Sequence, residues 1–110
     1  ILRLGPMYGE KLSKGVLIDL LKNNRVYISK ESLYCFAPVK WVGEWIATNM
    51  HLSGIQDLGG NNAISVGEVA RKINSKSIFE GPIDNQVLSK EIKSGPESKN
   101  VIDYILSTNT

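Results

Sequence analysis

The chain has 110 residues, with 13 basic and 11 acidic side chains, a formal net charge of +2 and 42% apolar residues. This is the composition of one small globular domain that buries roughly 60% of its unfolded surface. No apolar run approaches the roughly 20 residues needed to span a bilayer. The basic residues are spread along the chain, the densest stretch being Lys11, Lys14, Lys22, Arg25 and Lys30, so neither a membrane nor nucleic acid is an expected partner.

The chain opens on Ile1-Leu2-Arg3-Leu4, a finished β-strand, with the loop Gly5 to Glu10 hung on its end. A strand with no earlier partner and no initiator Met predicts that a longer polypeptide has been cut here. Leu12, Val16, Leu17, Leu20 and Leu21 recur at helical spacing and predict a helix over 12–23, ended by Asn23-Asn24. Val26 to Ile28 reads as a strand, Ser29 to Ser32 as a hairpin-like turn, and Leu33 to Ala37 as a second strand stopped by Pro38. Cys35 lies in that apolar run and is expected to be a buried, inert thiol. With one cysteine no internal disulfide can form, which fits a reducing, cytoplasmic setting. His51 is the lone histidine, so neither a Cys/His catalytic pair nor a metal site is expected.

Val39 to Met50 reads as a second helix, in which Val42 and Ile46 form one apolar stripe and Trp41 and Trp45 another. Such a helix is packed on two sides, or else turns its tryptophans toward another part of the protein or a second subunit. Ile55 to Leu58 is a third strand. Gly59-Gly60-Asn61-Asn62 is a turn rich in residues that accept positive φ. It lacks the Gly-x-Gly-x-x-Gly and Lys-Ser/Thr patterns of phosphate loops and reads as structural. Ser65-x-x-Glu68 has the spacing of a capping box and opens a helix over 66–74, with Val66, Val69, Ala70 and Ile73 inward. Ser77 to Phe79 is a short strand, Gly81-Pro82 a break, and Asn85 to Lys93 a weak helix or an extended segment. Ser94-Gly95-Pro96 is a breaker ahead of a final helix over 97–107, carried by Val101, Ile102, Ile105 and Leu106.

Three segments together resemble the second half of an extended short-chain dehydrogenase/reductase, the family of NAD(P)-dependent nucleotide-sugar epimerases, dehydratases and reductases. Ile1 to Gly9 is similar to the family's Leu-Arg-x-x-x-x-Tyr-Gly-Pro loop. Phe36 to Ile46 resembles its Phe-Ile-His-Val-Asp-Asp-Val-Ala-x-x-Ile segment, and Ile55 to Ala70 its Tyr-Asn-Val-Gly-x-Gly-x-x-x-Ser-x-x-Glu-Leu stretch. Order and spacing match over about residues 1–74.

The resemblance implies a small mixed α/β domain, the C-terminal part of a Rossmann-type fold. Residues 1–11 would be the last part of the dinucleotide-binding fold and its loop, and 12–110 the substrate-binding portion. It implies NAD or NADP as cofactor of the complete protein, none for this chain alone, with Leu4, Gly5 and Pro6 beside the nicotinamide end. Lys14, Val26, Tyr27, Ile28 and Tyr34 would contact a nucleotide-sugar or related small molecule. The other partners implied are the missing dinucleotide-binding portion and, since the family commonly dimerises, a second copy. No catalytic residue is assigned. The family's Gly-rich turn and Tyr-x-x-x-Lys would precede Ile1, and Tyr8 with Lys11 and Tyr27 with Lys30 are each one residue short of that spacing. Pro6 stands where the family often has Asn, Tyr34 where many members have a phosphate-pairing Arg, and Lys40-Trp41 in place of Asp-Asp. These departures favour a different kind of reading, a non-catalytic binding or assembly domain that keeps the fold. A free-standing α/β interaction domain is a third, its first strand seeking a partner chain.

Overall fold

The computed structural model describes residues 2–9, 15–49 and 54–108. It is an α/β structure in which every sheet is a pair of short strands. Strand β1 (Leu2–Leu4) runs parallel to β5 (Gln56–Leu58), and β2 (Met7–Tyr8) parallel to β4 (Ala37–Pro38). Strand β3 (Leu33–Tyr34) is antiparallel to β6 (Ile64–Ser65). Between these pairs lie helices α1 (Val16–Leu21), α2 (Val39–Thr48), α3 (Val66–Lys72) and α4 (Asn100–Thr108).

The expected helices are present, and their ends follow from polar satisfaction. In α3 the Ser65 side chain accepts from the Glu68 N–H at 3.1 Å, the N-cap half of the expected capping box. Helix α1 ends where Asn23 takes a φ of 58°. Its last carbonyls find donors far along the chain: Ser75 Oγ donates to Leu20 O at 2.6 Å and Ser77 Oγ to Asp19 O at 3.2 Å. The expected residues 12–14 of this helix and Met50 of α2 lie outside the described residues.

Three strand expectations are corrected. Val26 to Ile28 and Ser77 to Phe79 are not strands. They meet in one parallel bridge, Val26 with Phe79, and the ladder stops because Pro82, three residues on, has no N–H to give. Leu33 to Ala37 is not one strand either, since it changes partners. Leu33 and Tyr34 face Ser65 and Ile64, whereas Ala37 and Pro38 face Met7 and Tyr8. Met7–Tyr8, read as loop, is thereby a strand, and so is Ile64–Ser65. Asn85 to Lys93 contains no helix; it is extended at Gln86, which bridges Tyr34.

The turn at Gly59-Gly60 needs glycine for a reason other than positive φ, which in this turn is taken by Asn62 (53°). A Cβ on Gly60 would lie 2.0 Å from the Phe36 carbonyl oxygen, and one on Gly59 2.7 Å from that of Cys35. The backbones cross too closely for any side chain. Beside them Asn61 fastens the 92–98 loop, donating to Ile92 O at 2.7 Å and accepting from Ile92 N at 2.8 Å.

Two apolar clusters result. The larger joins β3, β6, α1, α3 and α4 around Phe36, Leu20, Val66, Val69 and Val101, with Tyr8 stacked obliquely on Tyr104 at 5.0 Å. The smaller, Ala37, Val42 and Leu58, is flanked by half-buried Trp41, Trp45, Ile46, Met7 and Ile92. Both tryptophans thus pack on this cluster while keeping part of their surface exposed. Cys35 is buried, as its run predicts.

Candidate functional site

Strands β1 and β5 end side by side at Leu4 and Leu58, and the Gly5 N–H continues the pairing onto Leu58 O at 2.8 Å. Outside these carboxyl ends, where open parallel α/β sheets bind ligands, lies a cavity of about 460 Å³. It is lined by Arg3, Leu4, Gly5, Cys35, Asp57 and the segment Gln86 to Ser89.

The cavity's walls are tied together by hydrogen bonds of long sequence range. Arg3 Nε donates to Asp57 Oδ1 at 2.6 Å, across the middle of the β1–β5 register. The Ser89 N–H donates to Asp57 Oδ2 at 3.1 Å. These bonds, that from Arg3 foremost, hold the Asp57 carboxyl below its ordinary pKa. Next to them the Gln86 N–H donates to Leu33 O at 2.8 Å, and the Cys35 N–H to Gln86 O at 3.1 Å. One carboxylate therefore clips the 86–89 wall to β5 while backbone pairing clips it to β3.

Gln86 also belongs to a second polar cluster. Tyr34 Oη donates to Asp84 Oδ2 at 3.0 Å, and Gln86 Nε2 donates to the same oxygen at 3.2 Å. Asp84 N–H in turn donates to the fully buried Ser32 Oγ at 2.9 Å. Burial, and then the bond to Asp84, push the Tyr34 phenol up to about 12.

Of the residues singled out in the sequence, Leu4 and Gly5 line the cavity, and the Pro6 carbonyl accepts from Ala37 N–H at 3.2 Å to join β2 to β4. Val26 and Tyr34 are buried in the larger core, with Tyr34 against Phe36 at 5.7 Å. Ile28 packs on the edge of that core, and Tyr27 is 70% exposed. The structure does not bring these four together around the cavity. Lys14 lies outside the described residues.

Sequence reading missed Arg3, Asp57, Asp84 and the 86–89 wall. A signal for the first pair existed: each is the residue before the last of a predicted strand, the positions that a parallel register sets opposite each other. Among the described residues no cluster of three or more His, Cys, Asp or Glu could hold a metal, and no helix is long and apolar enough to cross a membrane.

No protein-family model and no curated protein matches the chain. Solved structures do. UDP-glucose 4-epimerase of Thermotoga maritima, determined with UDP-glucose, superposes with a TM-score of 0.56 over 99% of this chain at 16% identity. TunA, an NAD-dependent NDP-hexosamine 5,6-dehydratase of tunicamycin biosynthesis, reaches 0.61 over 96% at 15% identity. UDP-N-acetylglucosamine 4-epimerase of Bacillus cereus reaches 0.59 over 97% at 15% identity. The chain spans less than half of each, 45–46% of their length. Its fold is a small mixed α/β unit matching part of the Rossmann-type fold of these epimerases and dehydratases.

Proposed function

We propose that this chain is the substrate-binding portion of an NAD(P)-dependent epimerase, dehydratase or reductase whose substrate is a nucleotide-sugar or a related small molecule. Residues 1–11 complete the dinucleotide-binding fold, and 12–110 form the substrate-binding portion. The observation that carries this reading is the cavity at the carboxyl ends of parallel β1 and β5, in a fold shared with enzymes of that chemistry.

The residues present fit one end of such a cofactor. Backbone groups of Leu4, Gly5 and Pro6 stand at the strand ends, and at Gly5 a Cβ would meet Cys35 O at 3.1 Å and Leu58 O at 3.3 Å, so the lining at Gly5 stays bare backbone. The bound nicotinamide would supply hydride transfer. This chain's own contribution is to bind and orient a substrate against it. The Gln86 and Ser89 side chains offer uncharged polar contacts.

The test uses the polypeptide as its source makes it. Intact mass and N-terminal sequencing are expected to reveal roughly 150 further residues ahead of Ile1, with a Gly-rich turn and Tyr-x-x-x-Lys. NAD(P)H fluorescence is expected to report binding by that intact protein. A natural chain of these 110 residues alone, or an intact protein that does not bind NAD(P)H, overturns the reading. In that case a non-catalytic binding or assembly domain takes its place, a role favoured by the commitment of the Tyr34 hydroxyl to Asp84.

A further inference from the structure

The segment that runs on from Gln86 along the cavity is fastened at three places and free between them. At Gln86 the backbone holds it: the Gln86 N–H donates to Leu33 O at 2.8 Å, and the Cys35 N–H donates to Gln86 O at 3.1 Å. At Ile92 both main-chain groups are bonded to the Asn61 side chain, at 2.7 and 2.8 Å. The middle fastening is a single bond, from the Ser89 N–H to Asp57 Oδ2 at 3.1 Å. Among the described residues the N–H groups of Val87, Leu88, Lys90 and Glu91 have no partner, and Val87, Ser89, Lys90 and Glu91 are exposed. A stretch with so few buried contacts opens at a lower free energy than a packed core.

Half-buried Leu88 adds a packing contact to the middle fastening. A Cβ on Gly59 would meet Leu88 Cδ2 at 3.3 Å and Cys35 Cβ at 3.2 Å. Leu88 and Cys35 thus converge on one spot of bare backbone, and both line the cavity. Cys35 is 3% exposed. The Asp57 carboxylate is fixed independently of the segment, because Arg3 Nε donates to its other oxygen at 2.6 Å. The bond to Ser89 therefore joins an anchored acceptor to a donor on a loosely held chain.

We propose that residues 86–92 form a strap alongside the cavity, held at Gln86 and Ile92 and latched between them by the Asp57 carboxylate on the Ser89 N–H. Release of that bond lets Leu88 leave Gly59, which opens the cavity and uncovers the Cys35 thiol. Firm ends and a weak middle suit a segment that opens locally while the larger core stays closed, the behaviour by which lids admit and release ligands. The strap acts in this way whatever molecule the cavity takes, so it stands apart from the proposed function.

The experiment is alkylation of the intact protein with N-ethylmaleimide, followed by mass spectrometry of the peptide that carries Cys35. Hydrogen exchange of the buried amides of α3 is measured on the same preparation. Cys35 is expected to react at a rate that barely changes in low urea, because local opening exposes little surface, whereas α3 exchange reports global unfolding and rises steeply. Asp57→Asn leaves one carbonyl oxygen to serve both Arg3 and Ser89, and should speed alkylation about tenfold with little change in α3 exchange. Leu88→Ala, which removes the packing on Gly59, should act in the same direction and serves alone if the first variant does not fold. Alkylation that shares the urea dependence of α3 exchange, or an unchanged rate in every folded variant, overturns the proposal. Neither readout involves the cofactor, so NAD(P)H binding still tests the proposed function separately.

Discussion

The two halves of this molecule are built to different standards of closure. Around Phe36 the helices α1, α3 and α4 and the β3–β6 pair bury twelve side chains among the described residues, whereas the cluster between α2 and the β1–β5 pair buries three. On β1 all three residues are exposed, with Leu2 at 42% and Leu4 at 47%. The first region satisfies itself; the second is a parallel pair with one edge paired and an apolar surface toward solvent. Parallel sheets are normally covered on both faces, so the cavity at the end of β1 sits where the fold is least complete.

The largest test of this contrast is truncation in each region. Phe36→Ala removes a ring with no solvent exposure and should cost about 4 kcal/mol in denaturant unfolding of the intact protein. Trp45→Ala, on the half-buried flank of the smaller cluster, should cost about 2 kcal/mol. A Trp45 cost as large as that of Phe36 would mean that the smaller cluster is covered in the intact protein.

Gly60 lies at the seam between the two regions, where a Cβ would meet Phe36 O at 2.0 Å and the Ser98 N and Oγ at 2.9 Å. Gly60→Ala places a methyl against fixed backbone that has no side-chain freedom to yield, and should cost about 3 kcal/mol. The variant is expected to loosen the 92–98 loop as well, because neighbouring Asn61 holds Ile92. Hydrogen exchange at Ile92 and Ser98 reads this directly.

Acid and alkali should separate the regions. The Tyr34 phenol, at about 12 in the folded chain against 10.0 otherwise, gives the larger core a contribution that is complete below pH 10. Above pH 10 the unfolded chain ionises while the fold holds its proton, so the contribution is lost between about pH 10 and 12. Tyr34→Phe should remove that part of the alkaline loss. In the open pair the sign is reversed. The Asp57 carboxyl is lowered from 3.8, so its contribution is complete above that value and is lost as pH falls through the folded one. Because the Arg3 side chain is 62% exposed, this acid effect is the weaker of the two. Thermal unfolding of the unmodified protein, Tyr34→Phe and Asp57→Asn across pH reads both.

The same contrast explains what could be read from the sequence. Helical periodicity and the Ser65 cap are local signals, and they placed α2, α3 and α4 within a few residues. The short pairings are not local. Residues 33–38 divide their hydrogen bonds among Ile64–Ser65, Gln86, Gly60 and Pro6, partners that no alternation pattern within the segment specifies. That β1 ends at Leu4 and gives way to a loop at Gly5 was legible because a strand followed by glycine is a local feature. The 86–89 wall was not, since its role arises only when segments more than 30 residues apart are brought together, and the Arg3–Asp57 pair was open to reading only through the register of the two strands. The glycines at 59 and 60 were noticed for conformational freedom, yet it is the proximity of the Phe36 and Cys35 carbonyls that requires them.

The smallest expected effect is also the one with the opposite sign. Gly43 sits in the interior of α2 on its exposed side, and a Cβ there would meet nothing within 4 Å. Alanine costs less entropy to hold in a helix than glycine, so Gly43→Ala should stabilise by about 1 kcal/mol. Helix α2 lies over the open pair, which makes the result a probe of that region and not only of helix propensity. A gain of this size in the intact protein places the Gly43 face in water. A loss there would mean that another surface approaches α2 closely enough to need a residue without a side chain, and the contrast between closed and open regions would then belong to this portion and not to the whole molecule.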